Sequence, residues 1–476
     1  VSPSVQKLDF GKVHVGRVEG GGVDRTVLKY YAFEVTRNAH LSGPIWVLFL
    51  LSRGVSYTGV GTLDAVYSLT VLLAETPTGY VGDRLGRKRS LALGVVGTSL
   101  GSLWFAFAQS LPEFLLAYAV LAVAQTFTSG SDSAWLYDTL RARTDEDRYA
   151  RIRGRGRAVG LVVSAVAAVA GGLVGEVSLA VPWIASGVLT AAGLPVVFSF
   201  PAPDHRTLDD DATVEAGEGS DDATAEVNGD DDGSDGHTAG ERSETESDAV
   251  DAETATDVDE QGGEPGPFAA LVAARDQLFA PPLRWFVAYT AVFAGIMGVL
   301  NFFVQPVTLD AVPELPRVAG FQPGGVVVVG LVFAAFRLIA AVVTSRTGWI
   351  ADRVGEERWF LLAPPLLGGA FAAVTLLPLA AVPLFFVLRT VRSVSQPLQS
   401  TYLNDRVTSV GRATTLSAVS MAHAVVVAPI ELLGGRVGDL LGTIDALAAL
   451  GGALAVVAVA MQVGRWTVAR VRSPTG

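Results

Sequence analysis

The sequence contains no cysteine, and its five histidines, His14, His40, His205, His237 and His423, never fall at His-x-x-x-His spacing. These absences exclude disulfide frameworks, thiol nucleophiles, iron–sulfur clusters and cysteine- or histidine-built metal sites. No Walker loop or dinucleotide fingerprint is present, so direct drive by ATP has no footing in the chain and no cofactor is expected. Charge is scarce as well: 17% of 476 residues are charged, lysine occurs only at Lys7, Lys12, Lys29 and Lys88, and 50% of the chain is hydrophobic with 52 glycines. That balance is foreign to a soluble enzyme and points to a membrane protein that carries out no covalent chemistry.

The net charge of -12 is unevenly placed. From Pro201 to Gly266 there are 23 acidic residues and two basic ones, Arg206 and Arg242, which gives this stretch -21 and leaves +9 on the rest. The stretch has no aromatic residue and too little apolar surface to offset the entropy of ordering it, so a disordered linker is predicted. An acidic docking arm for a basic partner is the competing reading. Few lysines and an Asp-rich exposed segment together match the composition of a protein adapted to high salt.

On either side of the linker lie apolar windows of the ~20 residues that cross a hydrocarbon core. Six are expected before it, at Val27–Leu51, Tyr57–Tyr80, Ser90–Phe107, Glu113–Tyr137, Val159–Gly175 and Leu179–Phe200. Six more are expected after it, at Trp285–Val307, Gly324–Val343, Trp359–Leu377, Ala381–Asn404, Thr415–Leu433 and Ile444–Val463. The predicted fold class is an all-α integral membrane protein, with twelve transmembrane helices in two pseudo-symmetric six-helix halves. The predicted organisation is a lead (1–26), a first bundle (27–200), the acidic linker (201–267), a second bundle (268–463) and a tail (464–476). Gly43-Pro44, Pro364-Pro365 and Pro397 fall within spans, where neighbouring helices can satisfy the freed backbone groups. Loops after spans 2, 4, 8 and 10, with the tail, hold 19 basic residues, and the alternate loops hold three, Arg53, Arg317 and Arg436. The positive-inside bias therefore places both termini and the linker in the cytoplasm, the protein in the cell membrane, and the polar lead outside any signal peptide. Arg151, Arg153, Arg155 and Arg157 fall between spans, so they read as orientation signals and lipid headgroup contacts, with no nucleic-acid role.

The chain repeats itself. Gly79 to Arg89 reads GYVGDRLGRKR as a tight loop after span 2, and Gly348 to Glu356 reads GWIADRVGE in the same place after span 8. A fainter echo pairs Trp135–Asp138, ending span 4, with Tyr402–Asp405, ending span 10. Two Gly-x-x-x-Asp-Arg-x-Gly runs at equivalent positions indicate duplication of a six-helix unit.

On these residues the sequence resembles the major facilitator superfamily of secondary transporters, over about Val27 to Val463. Gly79, Asp83, Arg84, Gly86 and Arg87 match the family's signature loop, and Gly348, Asp352 and Arg353 match its second copy, where Glu356 and Glu357 replace Arg87 and Lys88. The run from Gly130 to Asp138 also resembles a span-4 pattern of a subgroup. The resemblance implies alternating access, in which two halves rock around a midplane site. It further implies that Asp83 meets the N-terminus of span 11 and that Arg84 or Arg87 engages Asp138, latching the halves on the cytoplasmic side when the outer side is open. Gly79, Gly82 and Gly86 would allow close approach of helices there. The bland alternative is that Arg84 to Arg89 only set orientation. Span 5 lacks the Gly-Pro pair that drug antiporters of this superfamily often carry, which weighs against multidrug efflux. A non-transporting sensor that uses the linker as its docking arm is the alternative from another class.

Ionisable residues at membrane depth are costly and are functional candidates by default. The family's cavity is lined by spans 1, 4, 7 and 10. Span 10 stacks Arg389, Arg392, Gln396 and Gln399 on one face by their spacing of three, four and three. Span 4 offers Gln125 and Asp132, span 1 offers Glu34 and Arg37, and span 7 offers Asn301 and Gln305. This set fits an anionic or zwitterionic small solute as well as it fits internal salt bridges. Glu34 and Asp132, then Asp64, are the candidates for coupling to a proton or sodium ion. Arg337 and Asp64 read as packing or gating charges, and His423 as a structural histidine or a proton relay.

Overall fold

The computed structural model describes residues 25–141, 148–201, 281–311, 324–344, 346–407 and 412–472. The expected lead (but for its last two residues), nearly all of the acidic linker and the end of the tail lie outside the described residues. Every described element is helical. The first half comprises α1 (Arg25–Asn38), a 3-10 turn (Gly43–Ile45), α2 (Trp46–Ser52), α3 (Tyr57–Leu85), α4 (Arg87–Phe107), α5 (Leu111–Thr128), α6 (Ser131–Arg141), α7 (Tyr149–Gly175), α8 (Val181–Ala191) and α9 (Gly193–Phe198). The second comprises α10 (Pro281–Phe302), α11 (Val304–Ala311), α12 (Gly325–Thr344), α13 (Thr347–Val354), α14 (Glu356–Ala372), α15 (Ala381–Arg406), α16 (Arg412–Leu441) and α17 (Thr443–Arg472).

Among the described residues, eleven helical runs are long and apolar enough to cross a membrane. The window at 27–51, expected as one span, is instead divided. Asn38 turns back to donate to the Glu34 carbonyl at 2.8 Å and ends α1, and Pro44 has no N–H with which to continue a ladder. The freed donors are caught by side chains: Leu41 and Ser42 N–H reach Ser186 Oγ at 2.9 and 3.2 Å. Val47 and Leu48 N–H reach Gln305 Oε1 at 2.8 and 3.2 Å. A break at membrane depth is tolerated only when its backbone groups are satisfied by protein in this way. Pro364, Pro365 and Pro397, by contrast, sit inside continuous helices.

The signature run is also mostly helix, where a loop was expected. α3 runs on through Leu85 and the chain turns at Gly86 alone, whose φ of 84° favours glycine and whose N–H caps onto Gly82 at 2.9 Å. Gly355 repeats the turn with φ 77° and its own bond to Ala351. Only Gly82 of the earlier glycines meets a neighbour, Ser90 of α4, while Gly79 faces open space. The substitution of Glu356 and Glu357 for Arg87 and Lys88 has a partner change to match it. Arg87 at the start of α4 lies 4.0 Å from Asp138 of α6, whereas Glu357, one position further on in the second copy, lies 3.7 Å from Arg406 of α15, so the acidic partner is on the opposite side of the bridge and each residue is shifted by one position.

Two helix pairs join the halves, α3 with α16 and α7 with α12. Both rely on glycine. A Cβ at Gly61 would overlap the Glu431 carbonyl, one at Gly435 would overlap the Tyr57 carbonyl, and one at Gly330 would stand 2.6 Å from the Ala168 carbonyl. Small residues let membrane helices approach this closely and gain packing that lipid cannot give. At the end away from the signature motif, residues of both halves share one core, with Phe49, Phe105, Phe114, Phe302 and Phe303 fully buried in it. At the motif end there are two cores, each built from one half: Trp135 stacks on Phe200 at 3.8 Å in one, and Tyr402 on Phe286 at 3.8 Å in the other. Among the described residues the two halves thus share packing at one end and pack separately at the other.

Candidate solute cavity

Between the halves, at mid-length of the spans, lies a cavity of about 670 Å³. Its two walls differ in chemistry. The first half presents Trp46, Tyr67 and Tyr118, with Asp64 and Ser68 beside them. Trp46 stacks on Tyr118 with ring centroids 6.2 Å apart, and Tyr118 packs against Tyr67 at 4.9 Å. The second half presents three guanidinium groups, Arg337 from α12 and Arg389 and Arg392 from α15, with Asn301, Gln396 and Glu431. Arg389 donates to Asn301 Oδ1 at 2.6 Å and is held over the rings of Phe336 and Phe333 at 5.2 and 5.7 Å, while its buried Nε has no partner. Arg337 and Arg392 are exposed to the cavity, and neither has a hydrogen bond or ion pair among the described residues. A second cavity of about 570 Å³ shares Ala294, Arg392 and Gln396 with the first and continues along α15 and α16 towards the parted end. Gln399 and Thr290 both contact His423 Nε2 there, at 3.3 and 3.1 Å.

Asp64 and Glu431 meet from opposite halves within hydrogen-bonding range, with Arg392 as the cation that acts on both. Glu431 is 4% exposed, and its Oε2 has no N–H or O–H donor around it. Two carboxyl groups share a hydrogen bond only when one of them carries a proton.

The sequence candidates divide among several places. Arg389, Arg392, Gln396 and Asn301 come together on the central cavity, and so do Arg337 and Asp64, which were read as packing or gating charges, with Asp64 also the third coupling candidate. Glu34, Arg37 and Asp132 form a separate cluster inside the first half, where Arg37 bonds Asp132 at 2.6 Å and lies 3.9 Å from Glu34. Arg37 and Gln125 border a small pocket of about 40 Å³. Gln305 is wholly buried and spent on the N-terminus of α2. At the motif, Asp83 accepts from Arg87 at 3.0 Å, Arg84 stacks on Tyr80 at 4.4 Å, and Arg353 lies 6.0 Å from the Trp349 ring. No bond joins Asp83 to α16 among the described residues. Sequence reasoning passed over Glu431, although a lone carboxylate in the apolar run of span 11 was a visible signal. It also passed over Trp46, Tyr67 and Tyr118, which are indistinguishable in sequence from ordinary apolar packing.

The Arg37 cluster yields a stability prediction. Arg37→Met alone leaves Asp132 with 10% side-chain exposure and no cation, and is expected to cost about 3 kcal/mol. Adding Asp132→Leu should restore most of it. Thermal unfolding of the two purified variants checks this, and equal losses in both would show that the pair does not act as a unit.

Two helical halves that close on a charged cavity inside apolar spans define a multi-pass membrane protein of transporter architecture. Residues 37–429 match the sequence profile of the Major Facilitator Superfamily, and the chain belongs to that family. Over 109 residues it is 30% identical to the uncharacterized MFS-type transporter YxaM of Bacillus subtilis (strain 168), a match that spans 22% of this chain and 27% of that protein. Its fold is similar to that of the nucleoside transporter NupG, with TM-score 0.65 and 12% identity over 91% of this chain and 98% of that one. It is also similar to a POT family transporter in complex with 5-aminolevulinic acid, with TM-score 0.60 and 10% identity over 93% and 96% of the two chains. The D-xylose-proton symporter gives a TM-score of 0.57 at 10% identity over 91% and 95%. At such identities the likeness is one of fold.

Proposed function

We propose that the protein is a proton-coupled secondary transporter that carries a small solute through the central cavity by alternating access. The observation that supports this most directly is a cavity between the halves with ionisable groups from both, open through a vestibule at one end and sealed by shared packing at the other. In this reading the motif end, rich in arginine, faces the cytoplasm, and the conformation is inward-open with the Asp83 latch undone. Rocking would close the motif end, bring Asp83 towards α16 and separate α3 from α16 outside.

Coupling is assigned to Asp64 and Glu431, because the pair spans the moving interface and binds one proton when it closes. A proton suits the pair better than sodium, since it needs no ligand beyond the carboxyl group that takes it up. Among the described residues, no group of three acidic, histidine or cysteine side chains is placed to hold a metal ion. Asp64→Asn and Glu431→Gln are each expected to abolish solute accumulation driven by an imposed pH gradient in proteoliposomes, while equilibrium counterflow persists. Loss of both activities together, or accumulation unchanged in both variants, would remove the coupling assignment.

A further inference from the structure

We infer that the solute is a small amphiphilic organic anion, a carboxylate, phosphate or sulfonate on a planar apolar body. Its anionic group would sit among Arg337, Arg389 and Arg392 and its body against Trp46, Tyr67 and Tyr118. The inference rests on the transporter reading of the same cavity and adds the chemical class and orientation of what fills it.

Charge accounting is the first support. Three guanidinium groups share one cavity with two carboxyl groups, so the cavity is net positive even when both carboxyls are ionised. Unpaired arginine within apolar spans is expensive, and structural arginines at that depth find a carboxylate or a carbonyl. Arg37 in the neighbouring cluster does so, with Asp132 at 2.6 Å. Arg337 has no such partner among the described residues, Arg392 acts on Asp64 and Glu431 without a hydrogen bond or close ion pair to either, and Arg389 leaves a buried Nε–H unbonded. A guanidinium presents a planar fork of donors matched to two oxygens of one oxyanion. Arg389 is already fixed by Asn301 and two phenyl rings, so little conformational freedom is lost when it binds.

The second support is the opposite wall. The hydroxyls of Tyr67 and Tyr118 have no hydrogen-bond partner among the described residues, and both rings and Trp46 border the cavity. Aromatic faces accept a flat apolar body by stacking, and their free hydroxyls allow polar groups at its edge. A cation on the solute would also suit these rings, but only by bringing further positive charge up to three arginines. The asymmetry thus selects an anion and sets its direction, anionic group towards α12 and α15 and body towards α2, α3 and α5. A cavity of about 670 Å³ has the size of a small-molecule site.

The test is binding to the purified full-length protein, followed by thermal shift at constant ionic strength. The probes are phenyl phosphate, benzoate, inorganic phosphate, benzamide and benzylamine. Phenyl phosphate should stabilise saturably and most strongly, benzoate less, and inorganic phosphate weakly. Benzamide and benzylamine should give no shift at the same concentration. Arg337→Gln, which breaks no contact among the described residues, should weaken phenyl phosphate by about tenfold or more, and so should Arg392→Gln, which also removes the cation beside Asp64 and Glu431. Trp46→Leu should weaken phenyl phosphate and leave inorganic phosphate unchanged. Absence of a shift with all three anions overturns the inference. So does a neutral or cationic probe binding as tightly as phenyl phosphate, or unchanged affinity in the two arginine variants. The transporter reading fails separately. Arginine-dependent binding of phenyl phosphate with no flux of it across liposomes ends that reading alone, and arginine-independent flux of benzylamine ends this one alone.

Discussion

A valine at Gly435 is expected to stop solute flux and to open the end of the molecule that the structure holds shut. Gly435 and Gly61 are where α16 and α3 touch backbone to backbone, each lying against a carbonyl of the other helix. A side-chain tip would swing away from an added methyl group, but a carbonyl held in a helical ladder cannot. The helices must therefore separate, and overpacking of this kind costs about 1–3 kcal/mol. That shifts the balance between closed and open forms by about five- to 150-fold. The absence of native cysteine gives a clean readout. A single Ser68→Cys reporter on the cavity wall, treated with an impermeant maleimide, should become reactive from the sealed face in the Gly435→Val background. Gly435→Ala should act in the same direction with smaller effect. Gly369→Val is the matched control, since nothing lies within 4 Å of a Cβ there. A reporter that stays unreactive from the sealed face in Gly435→Val would show that closure does not depend on this crossing.

The same seal should fail when two carboxylates are removed. Asp439, near the C-terminal end of α16, accepts the Tyr57 and Thr58 N–H groups at 2.7 and 2.9 Å, and Thr58 Oγ1 also donates to it. Ser56 Oγ takes the Gly59 N–H, so the first turn of α3 is satisfied by its own cap and by the other half together. Glu176, just past α7, accepts Val327 N–H at 3.1 Å in the first turn of α12. The two contacts occupy equivalent places in the duplicated halves. In each, a carboxylate at the end of one half's helix caps the start of the other half's. A charged cap that also meets the positive end of a helix dipole contributes about 1–2 kcal/mol. Asp439→Ala with Glu176→Ala should remove about 3 kcal/mol of closure, because the sites lie on separate helix pairs and their effects add. The Ser68→Cys reporter should then react from the sealed face about a hundredfold faster, with each single variant intermediate. An unchanged rate in the double variant would rule out both caps as part of the seal.

How much of this was legible in the sequence depends on the range of the physics involved. Helical period and apolar length are local, so the span windows, the two halves and the shared face of Arg389, Arg392 and Gln396 follow from spacing. Duplication made the paired Asp-Arg runs recognisable in the sequence, whereas the confinement of each turn to a single glycine, Gly86 or Gly355, was seen only in the fold. The division of the first span was less legible, because the break at Gly43-Pro44 is stable only through Ser186 and Gln305, residues 145 and 258 positions away from the amides they receive. The same limit hid the fate of Glu34, Arg37 and Asp132. Their residue types suit a binding site, but their partners turned out to be one another.

By itself the sequence determined the class of molecule: apolar windows separated by arginine-rich connections, a repeated motif, and a chain free of thiols, metal-ligand spacing and nucleotide loops. Only the tertiary structure decided which charges face which. Asp64 and Glu431 are 367 positions apart and belong to different halves, yet they meet beside Arg392, while Arg337 has no hydrogen bond or ion pair among the described residues. A helix fixes the direction of its side chains relative to one another. What lies opposite them is set by packing between helices, and in this protein glycine contacts and cross-half caps bring two chemically unlike walls face to face.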